Sequence, residues 1–223
     1  MADPSLESAA RLAVSWIRPI VDDFDGALEA AQLALDGFHR LNEPFTAWAA
    51  LTVGLLELRL GRHEAARAHL AEASERGGRL GNRWLASVAR TLLASLAMRT
   101  GHLDEARELL VESVAGEDSA ISIQTVTFCL IASAELALAK GDSRQAALAL
   151  GAADGLRQRA GLRAWPSRRR SEAELVARVA EKLGPEDFKK AFAAGSELNR
   201  RDAVALVRSV AEGDSGPGRT PAA

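Results

Sequence analysis

The fold is decided by three segments of similar layout: Gly61-Arg-His-Glu-Ala-Ala66, Gly101-His-Leu-Asp-Glu-Ala106 and Gly141-Asp-Ser-Arg-Gln-Ala146. Their glycines are evenly spaced along the chain, and a further step back by almost the same interval reaches Asp22, with Ala27 five residues later. A glycine or aspartate here favours a helix end, and the polar residues after it suit the start of the next helix. The chain is therefore expected to repeat one unit, a helix, a tight turn and a second helix, four times.

Small residues recur at fixed distances from each of these turn positions. Seven residues before the turn stand Ser15, Gly54, Ala94 and Ala134. Five residues after it stand Ala27, Ala66, Ala106 and Ala146, and twelve residues after it stand Ala34, Ala73, Ser113 and Ala153. Two helices approach closely only where the facing side chains are small. The three columns therefore predict antiparallel helix pairs that pack tightly.

Helix bounds follow from the turns and from apolar residues at three- and four-residue spacing. The first helices are predicted at residues 5–20, 45–60, 83–100 and 121–140, and their partners at 23–41, 62–80, 102–115 and 142–160. Pro19 departs from the pattern, because proline ends or kinks a helix. We expect it to end or kink the first helix before the turn.

Over residues 5–160 this combination of small-residue columns and inter-helix glycines resembles the tetratricopeptide family. The resemblance implies an all-α fold, a right-handed solenoid of antiparallel helix pairs. The chain departs from the family in having no Tyr and a period of 40 residues in place of about 34. We attribute the extra length to longer connections between repeats, such as residues 76–82 and 115–120.

The pattern changes after Gly161. Trp165-Pro166 marks a break, and a helix is expected from Pro166 to Leu183. Gly184 suits a helix end and Pro185 the first position of the next helix, while Asn199 with Asp202 suits a further helix start. We therefore divide the chain into a repeat array at 1–160, a three-helix C-terminal cap at 161–211 and a disordered tail at 212–223.

The cap and the end of the array resemble the C-terminal region of large actinobacterial regulators. Those proteins join a signal-transduction ATPase core, a tetratricopeptide-like array and often a LuxR-type DNA-binding domain. The matching residues are Lys140-Gly-Asp, Ala146, Leu150-Gly-Ala-Ala153, Leu156-Arg157, Leu183-Gly184, Phe188, Ala191-Phe192, Gly195 and Asp202-Ala-Val-Ala205. The resemblance leaves open whether the chain is a fragment of such a regulator or a short stand-alone relative.

Composition narrows the function classes. The net charge of -2 provides no overall field for nucleic acid or anionic lipid. The longest uncharged stretch, residues 119–134, is too short and polar to span a bilayer. One cysteine suits a reducing compartment, and no signal peptide is recognisable, so a cytoplasmic protein is expected. We expect neither direct nucleic-acid binding nor membrane insertion.

Residues for catalysis or cofactor binding are sparse. No Gly-x-x-x-x-Gly-Lys-Ser/Thr phosphate loop occurs. The histidines have no spacing that would complete a metal site, and we interpret them as solvated surface residues. Cys129 lies in an apolar run and is expected to be buried. Asp23-Phe-Asp-Gly26 is expected to form a cap and turn, and Gly77-Gly-Arg-Leu-Gly81 a loop. These observations predict a non-enzyme without cofactor or metal.

Two candidate binding sites remain. In tetratricopeptide-like arrays the first helices line a concave groove, and the resemblance implies that the groove residues here include Trp16, Trp48, Leu51, Leu55, Arg59, Met98, Arg99, Phe128, Ile131 and Glu135. A bound partner fills this groove, or else the C-terminal helices or a second copy do. A second candidate is an anion-binding patch at Arg163, Arg168, Arg169 and Arg170, although a solvated helix end also explains these charges.

The sequence thus favours a non-catalytic module that binds a protein or peptide, or senses a ligand, within a LuxR-type, ATPase-linked transcriptional regulator. The partner could be an ATPase or DNA-binding domain of the same regulator, and a homodimer stays open. The alternative is a tetratricopeptide-like adaptor unrelated to transcription.

Overall fold

The computed structural model describes residues 3–116 and 121–213 of the chain. Among these residues there are eleven α-helices and no strand, so the predicted all-α class is confirmed. The helices are α1 (Pro4–Ile17), α2 (Phe24–Leu41), α3 (Thr46–Arg59), α4 (His63–Arg79), α5 (Arg83–Arg99), α6 (Leu103–Ser113), α7 (Ile123–Ala139), α8 (Ser143–Arg159), α9 (Pro166–Leu183), α10 (Pro185–Ser196) and α11 (Arg200–Glu212). Of the predicted tail, residues 214–223 lie outside the described residues.

The helix ends repeat one hydrogen-bonded turn, for which Gly61 is representative. Gly61 has φ +75°, a conformation that costs a residue with a side chain more than it costs glycine. The Arg62 N–H then donates to the Glu57 carbonyl at 2.8 Å, which satisfies a carbonyl left open at the end of α3. The same bond to the carbonyl five residues back closes α2, α4, α5, α7 and α8. The predicted turns are therefore confirmed.

At the first turn, proline and aspartate change the local geometry. α1 ends at Ile17, and residues Arg18–Val21 form a 3₁₀ turn that contains Pro19. The helix is thus shortened, as proline at this place predicts. The Asp23 carboxylate accepts the Gly26 N–H at 2.9 Å and caps α2, which confirms the predicted cap and turn.

At residues 76–82, the longer connection that the sequence suggested as the reason for the long repeat period is absent. Helices α4, α5, α7 and α8 are each 17 residues long, and only residues 80–82 separate α4 from α5. Gly77 and Gly78, expected in a loop, lie inside α4. Gly77 is buried, and a Cβ there would lie 2.9 Å from Leu85 and 3.0 Å from the Ala86 backbone nitrogen, so close helix packing explains it better than a loop. At this place the extra length is in the helix. The other expected connection lies between α6, which ends at Ser113, and α7, which begins at Ile123, and its residues 117–120 lie outside the described residues.

The chain forms two compact units, Met1–Leu96 and Ala97–Ala223. In the first unit α1 packs on α2, α2 on α3, and α3 on α4. α3 and α4 are antiparallel, since Gly54 and Glu57 of α3 lie against Leu70 and His69 of α4 in reversed order. All twelve small residues in the three columns are buried, as their spacing predicts.

In the second unit α7 pairs with α8, α10 packs on α8, and α11 packs on α6, α7 and α8. α8 and α10 touch backbone to backbone. A Cβ on Gly151 or Gly155 would collide with the carbonyl oxygens of Phe192 and Ser196, and a Cβ on Gly195 with that of Leu148. Three glycines therefore set the distance between these helices. The segment that the sequence assigns to a C-terminal cap contains the three helices α9, α10 and α11. The predicted start of α11 is confirmed, since the Asn199 side chain accepts the Asp202 N–H at 3.0 Å and so caps the helix N-terminus.

Candidate partner-binding surfaces

The residues predicted to line a groove fall at different depths. Leu51 is buried in the first unit, and Phe128 and Ile131 are buried in the second. These three side chains belong to the cores of their units and are not open to a partner. The reason is geometric: Leu51 and Ile131 stand ten residues before their turns, and the equivalent Leu12 and Thr91 are also buried. This position faces inward in every repeat.

Trp16 and Trp48 in the first unit lie at the surface. Trp16 is 53% exposed, and its indole Nε1–H donates to the Thr52 hydroxyl of α3 at 3.1 Å. The Thr52 hydroxyl in turn donates to the Trp48 carbonyl at 2.9 Å. The half-buried Trp48 stacks on Trp84, with ring centroids 4.9 Å apart and planes 25° from parallel. We call Trp16, Trp48 and Trp84 the tryptophan row.

Trp84 is a surface residue that the sequence analysis missed. The repeat counterpart of Trp48 in α5 is Val88, one helical turn after Trp84, so the two tryptophans do not share a repeat position. The available signal was the Asn82 cap: the Asn82 side chain accepts the Leu85 N–H at 3.1 Å and fixes the first turn of α5, in which Trp84 lies. Trp48 and Trp84 both lie in the first turn of a first helix, which brings them within reach of each other without a shared repeat position.

Arg59 lies near the other end of α3 and is exposed. Its guanidinium carbon stands 5.1 Å from the centre of the Phe24 ring, within the range of a cation–π contact. Leu55, one turn earlier, is half-buried. The first unit therefore places Trp16, Trp48, Leu55 and Arg59 at accessible or partly accessible positions, and Leu51 beneath them.

Phe128 in the second unit is covered by residues from the start of α9. Trp165 meets the Phe128 ring edge-on with centroids 5.3 Å apart, and the Arg168 guanidinium carbon lies 5.1 Å from the Phe128 ring centre. Phe128 is only 3% exposed. Residues of the chain itself therefore cover Phe128. Filling of the groove by the C-terminal helices is one of the alternatives that the sequence leaves open.

The arginines near Trp165 do not form one patch. Arg168 points inward, whereas Arg163, Arg169 and Arg170 are exposed. The Arg169 Nε–H donates to the Ala164 carbonyl at 3.1 Å. Arg170 pairs with Glu174 at 3.2 Å, a contact that screens its charge.

Arg168 is part of a buried charge cluster with Arg157 and Glu172. Arg157 donates two hydrogen bonds to the Glu172 carboxylate, at 2.6 and 3.1 Å, and Arg168 lies 3.7 Å from the same carboxylate. Burial lowers the pKa of Arg168, while Glu135 and Glu172 oppose this shift. The positive charges of Arg157 and Arg99 lower the pKa of Arg168 further. Arg99 and Glu135, two of the predicted groove residues, therefore both interact electrostatically with Arg168. Arg99 is exposed, and Met98 and Glu135 are half-buried.

Two histidines that were expected to be solvated surface residues pair with carboxylates in the first unit, and of these His39 is exposed while His69 is half-buried. His69 hydrogen-bonds to Glu57, whose side chain is almost fully buried, at 2.7 Å. His39 hydrogen-bonds to Glu72 at 2.6 Å, and Arg76 donates to the same carboxylate at 2.6 Å. Burial alone would raise the pKa of Glu72, but the bonds from His39 and Arg76 outweigh it, and the pKa lies below its ordinary value.

Clustered metal ligands, a reactive cysteine or a membrane-spanning helix would indicate other functional classes. Within residues 3–116 and 121–213, no three His, Cys, Asp or Glu side chains gather in a way that could hold a metal ion. Cys129 is buried, as predicted. None of the helices in the described part of the chain has both the length and the apolar character needed to cross a membrane. Comparisons of the chain with protein-family models, curated proteins and solved structures found no match.

Proposed function

We propose that the chain is a non-catalytic protein-interaction module whose helix pairs continue one another as a tetratricopeptide-like, right-handed solenoid. The observation that carries the proposal is the tryptophan row. Tryptophan is the residue most enriched among side chains that dominate binding energies. Trp16 leaves more than half of its surface exposed although its indole N–H is already satisfied by Thr52. Such a side chain offers apolar area to a partner and loses little conformational freedom when the partner binds.

The chemistry of the row suggests the kind of partner. Trp16 and Trp48 offer apolar faces, and Arg59 adds a positive charge near the opposite end of α3. An extended or helical peptide with apolar anchors and one acidic side chain would match this arrangement, since arginine pairs well with carboxylates. In the second unit, Met98, Arg99 and Glu135 are the members of the predicted groove that a partner could still reach, since Phe128 and Ile131 are buried.

We further propose that binding serves regulation, because the C-terminal residues resemble those of LuxR-type, ATPase-linked transcriptional regulators. A partner that prefers one arrangement of the helix pairs would shift the equilibrium of an attached domain. An ATPase or DNA-binding domain of the same regulator, or a second copy of the chain, would be such a partner, and the setting would be the cytoplasm. The second candidate function is an adaptor with no link to transcription, which the tryptophan row would serve equally well.

The test is an affinity capture with matched surface variants. The intact chain, Trp16→Ala and Leu80→Ala are immobilised and exposed to a cleared lysate, and retained proteins are identified by mass spectrometry. Leu80 is a suitable control because it is as exposed as Trp16, at 53%, but lies in the turn after α4.

We expect a protein that the unmodified and Leu80→Ala chains retain and the Trp16→Ala chain loses, with affinity reduced about tenfold or more. An ATPase or DNA-binding domain in that protein would favour the regulator over the adaptor. If the purified partner binds all three chains equally, the tryptophan row is not its binding site.

A further inference from the structure

The first helix carries a second apolar surface, distinct from the tryptophan row. Leu6, Ala10, Val14 and Ile17 follow one another at four- and three-residue spacing, so they share one side of α1. All four are exposed, Leu6 at 69%, Val14 at 41% and Ile17 at 63%. We call these four residues the α1 stripe.

The same positions are buried in the other first helices. Counted from each turn, the counterparts of Ala10, Val14 and Ile17 are Ala49, Val53 and Leu56 in α3, Ala89, Leu93 and Leu96 in α5, and Cys129, Ser133 and Leu136 in α7. Every one of these nine residues is buried. The counterparts of Leu6 are buried in α5 and α7, while in α3 the counterpart is Phe45, which precedes the helix. The α1 stripe thus has the composition of an internal face.

The α3 counterparts indicate what kind of element covers this face. α3 packs on α2 and α4 in its unit, and Gly54 and Glu57 face α4. Val53 and Leu56 each precede one of these residues by one position, so they lie about 100° further round the helix. α2 packs on α3, and its Phe38 reaches Phe45, the α3 counterpart of Leu6, with ring centroids 5.8 Å apart. A preceding second helix therefore contacts the α3 counterpart of the α1 stripe at Phe45.

α1 has neighbours on its other sides. Its buried residues Ser8, Leu12 and Ser15 lie on the face toward α2, and Trp16 reaches α3. Among the described residues, no helix lies over the α1 stripe in the way that α2 contacts its counterpart on α3.

We propose that the α1 stripe is a docking surface for one amphipathic helix of the α2 type, which a partner protein presents as the second helix of an equivalent helix pair. The occupant should carry small residues at three- and four-residue spacing, as α2 does with its buried Ala27, Ala31 and Ala34. Small residues let the branched side chains of the stripe approach the partner backbone closely.

A second copy of the chain fits this surface less well. It would place Leu6, Val14 and Ile17 of one α1 against the same large side chains of another. Only Ala10 in the stripe is small, so the close packing that α2 achieves on α3 is not available. The proposal does not depend on the tryptophan row and can hold if that row binds nothing.

The sequence of α2 itself supplies the probe. A fluorescent peptide of residues 24–41, held helical by a covalent staple between the exposed positions 32 and 36, is titrated with the intact chain and its anisotropy is measured. The variant Ile17→Asp places a charge in the stripe, and Leu33→Asp places one on the exposed face of α2 as the matched control. Both side chains are exposed, so both variants should fold and melt like the unmodified chain.

We expect saturable binding to the unmodified chain and to Leu33→Asp, and binding at least tenfold weaker to Ile17→Asp. A stapled peptide with Ala31→Glu should also bind at least tenfold more weakly. No saturable binding, or equal binding to both variants, would overturn the proposal. So would a dimer, detected by sedimentation equilibrium, that Ile17→Asp dissociates, because a second copy would then occupy the stripe.

Discussion

Trp165 stands edge-on to Phe128, with the two ring centroids 5.3 Å apart, and so joins the start of α9 to the middle of α7. The contact links two residues that are far apart in the sequence. Its consequence is that Phe128 acts as a core residue of the second unit. Substitutions at Phe128 and at Trp16 should therefore affect different properties of the protein.

Phe128→Ala should destabilise the second unit by about 3–5 kcal/mol, the usual cost of removing a buried phenylalanine ring. Chemical denaturation followed by circular dichroism measures the effect. The matched control is Leu162→Ala, an exposed residue of the same unit, whose effect should stay within about 0.5 kcal/mol. A Phe128→Ala protein of normal stability would show that Trp165 and Arg168 do not enclose the ring.

Gly151→Ala should destabilise the protein by about 1–3 kcal/mol, because the added methyl group would collide with the Phe192 carbonyl and force α8 and α10 apart. The matched control is Gly78→Ala in α4, where a Cβ would meet nothing within 4 Å. That substitution should stabilise the protein by about 0.4–1 kcal/mol, since alanine favours helix. Equal melting temperatures of the two variants would contradict the close approach of α8 and α10.

Glu172→Gln should cost about 3–5 kcal/mol of stability, because it removes the charge that balances Arg157 and Arg168 in a buried site. The Arg157 and Glu172 side chains are only 11% and 10% exposed. Glu174→Gln, two positions later, breaks the exposed pair with Arg170 and should change stability by less than about 1 kcal/mol. Similar unfolding midpoints for the two variants would show that the Arg157–Glu172 pair is solvated in solution.

The stabilising effect of Glu72 should depend on pH in a defined direction. Its pKa is lower in the folded chain than its ordinary value, because the bonds from His39 and Arg76 outweigh the effect of burial. The carboxylate therefore stabilises the fold at pH values above its ordinary pKa, and this contribution is lost as the pH falls through the lower, folded-state pKa. The difference in unfolding free energy between the unmodified chain and Glu72→Gln should be present at pH values above the ordinary pKa of Glu72 and vanish as the pH falls below the folded-state pKa. A difference that persists below the folded-state pKa would contradict this direction.

The turns were predictable from sequence because their chemistry is local. Gly61 and its counterparts occupy backbone conformations that glycine favours, and the Asn199 cap depends on residues three positions apart. The connection expected at residues 76–82 was mispredicted because paired glycines usually mark a loop. Gly77 instead serves packing, since it lies against Leu85 and Ala86, and a single sequence does not distinguish these two uses.

The candidate surfaces were less predictable, because the burial of a side chain depends on residues that are far away in the sequence. Trp48 and Leu51 are three positions apart on one helix, yet Trp48 is half-buried and Leu51 lies in the core. Helix geometry argues against a single patch made by the arginine run. Successive residues of a helix point about 100° apart, so Arg168, Arg169 and Arg170 could not all have faced one ligand.

The equal lengths of α4, α5, α7 and α8 have a consequence for how such a chain can grow or shrink. The interval from the first residue of α4, His63, to that of α5, Arg83, equals the interval from Ile123 of α7 to Ser143 of α8. One such interval carries the chain through a helix and its turn and reverses its direction. Adding or removing a single interval inside a run of such helices would turn every later first helix into a second helix and the reverse. A surface residue of a first helix, such as Trp48, would then stand on the opposite side of the array. Two intervals restore both direction and role. Because each helix reverses the direction of the chain, the smallest unit that can be duplicated or deleted is two helices. A change of one helix would alter which residues face each surface.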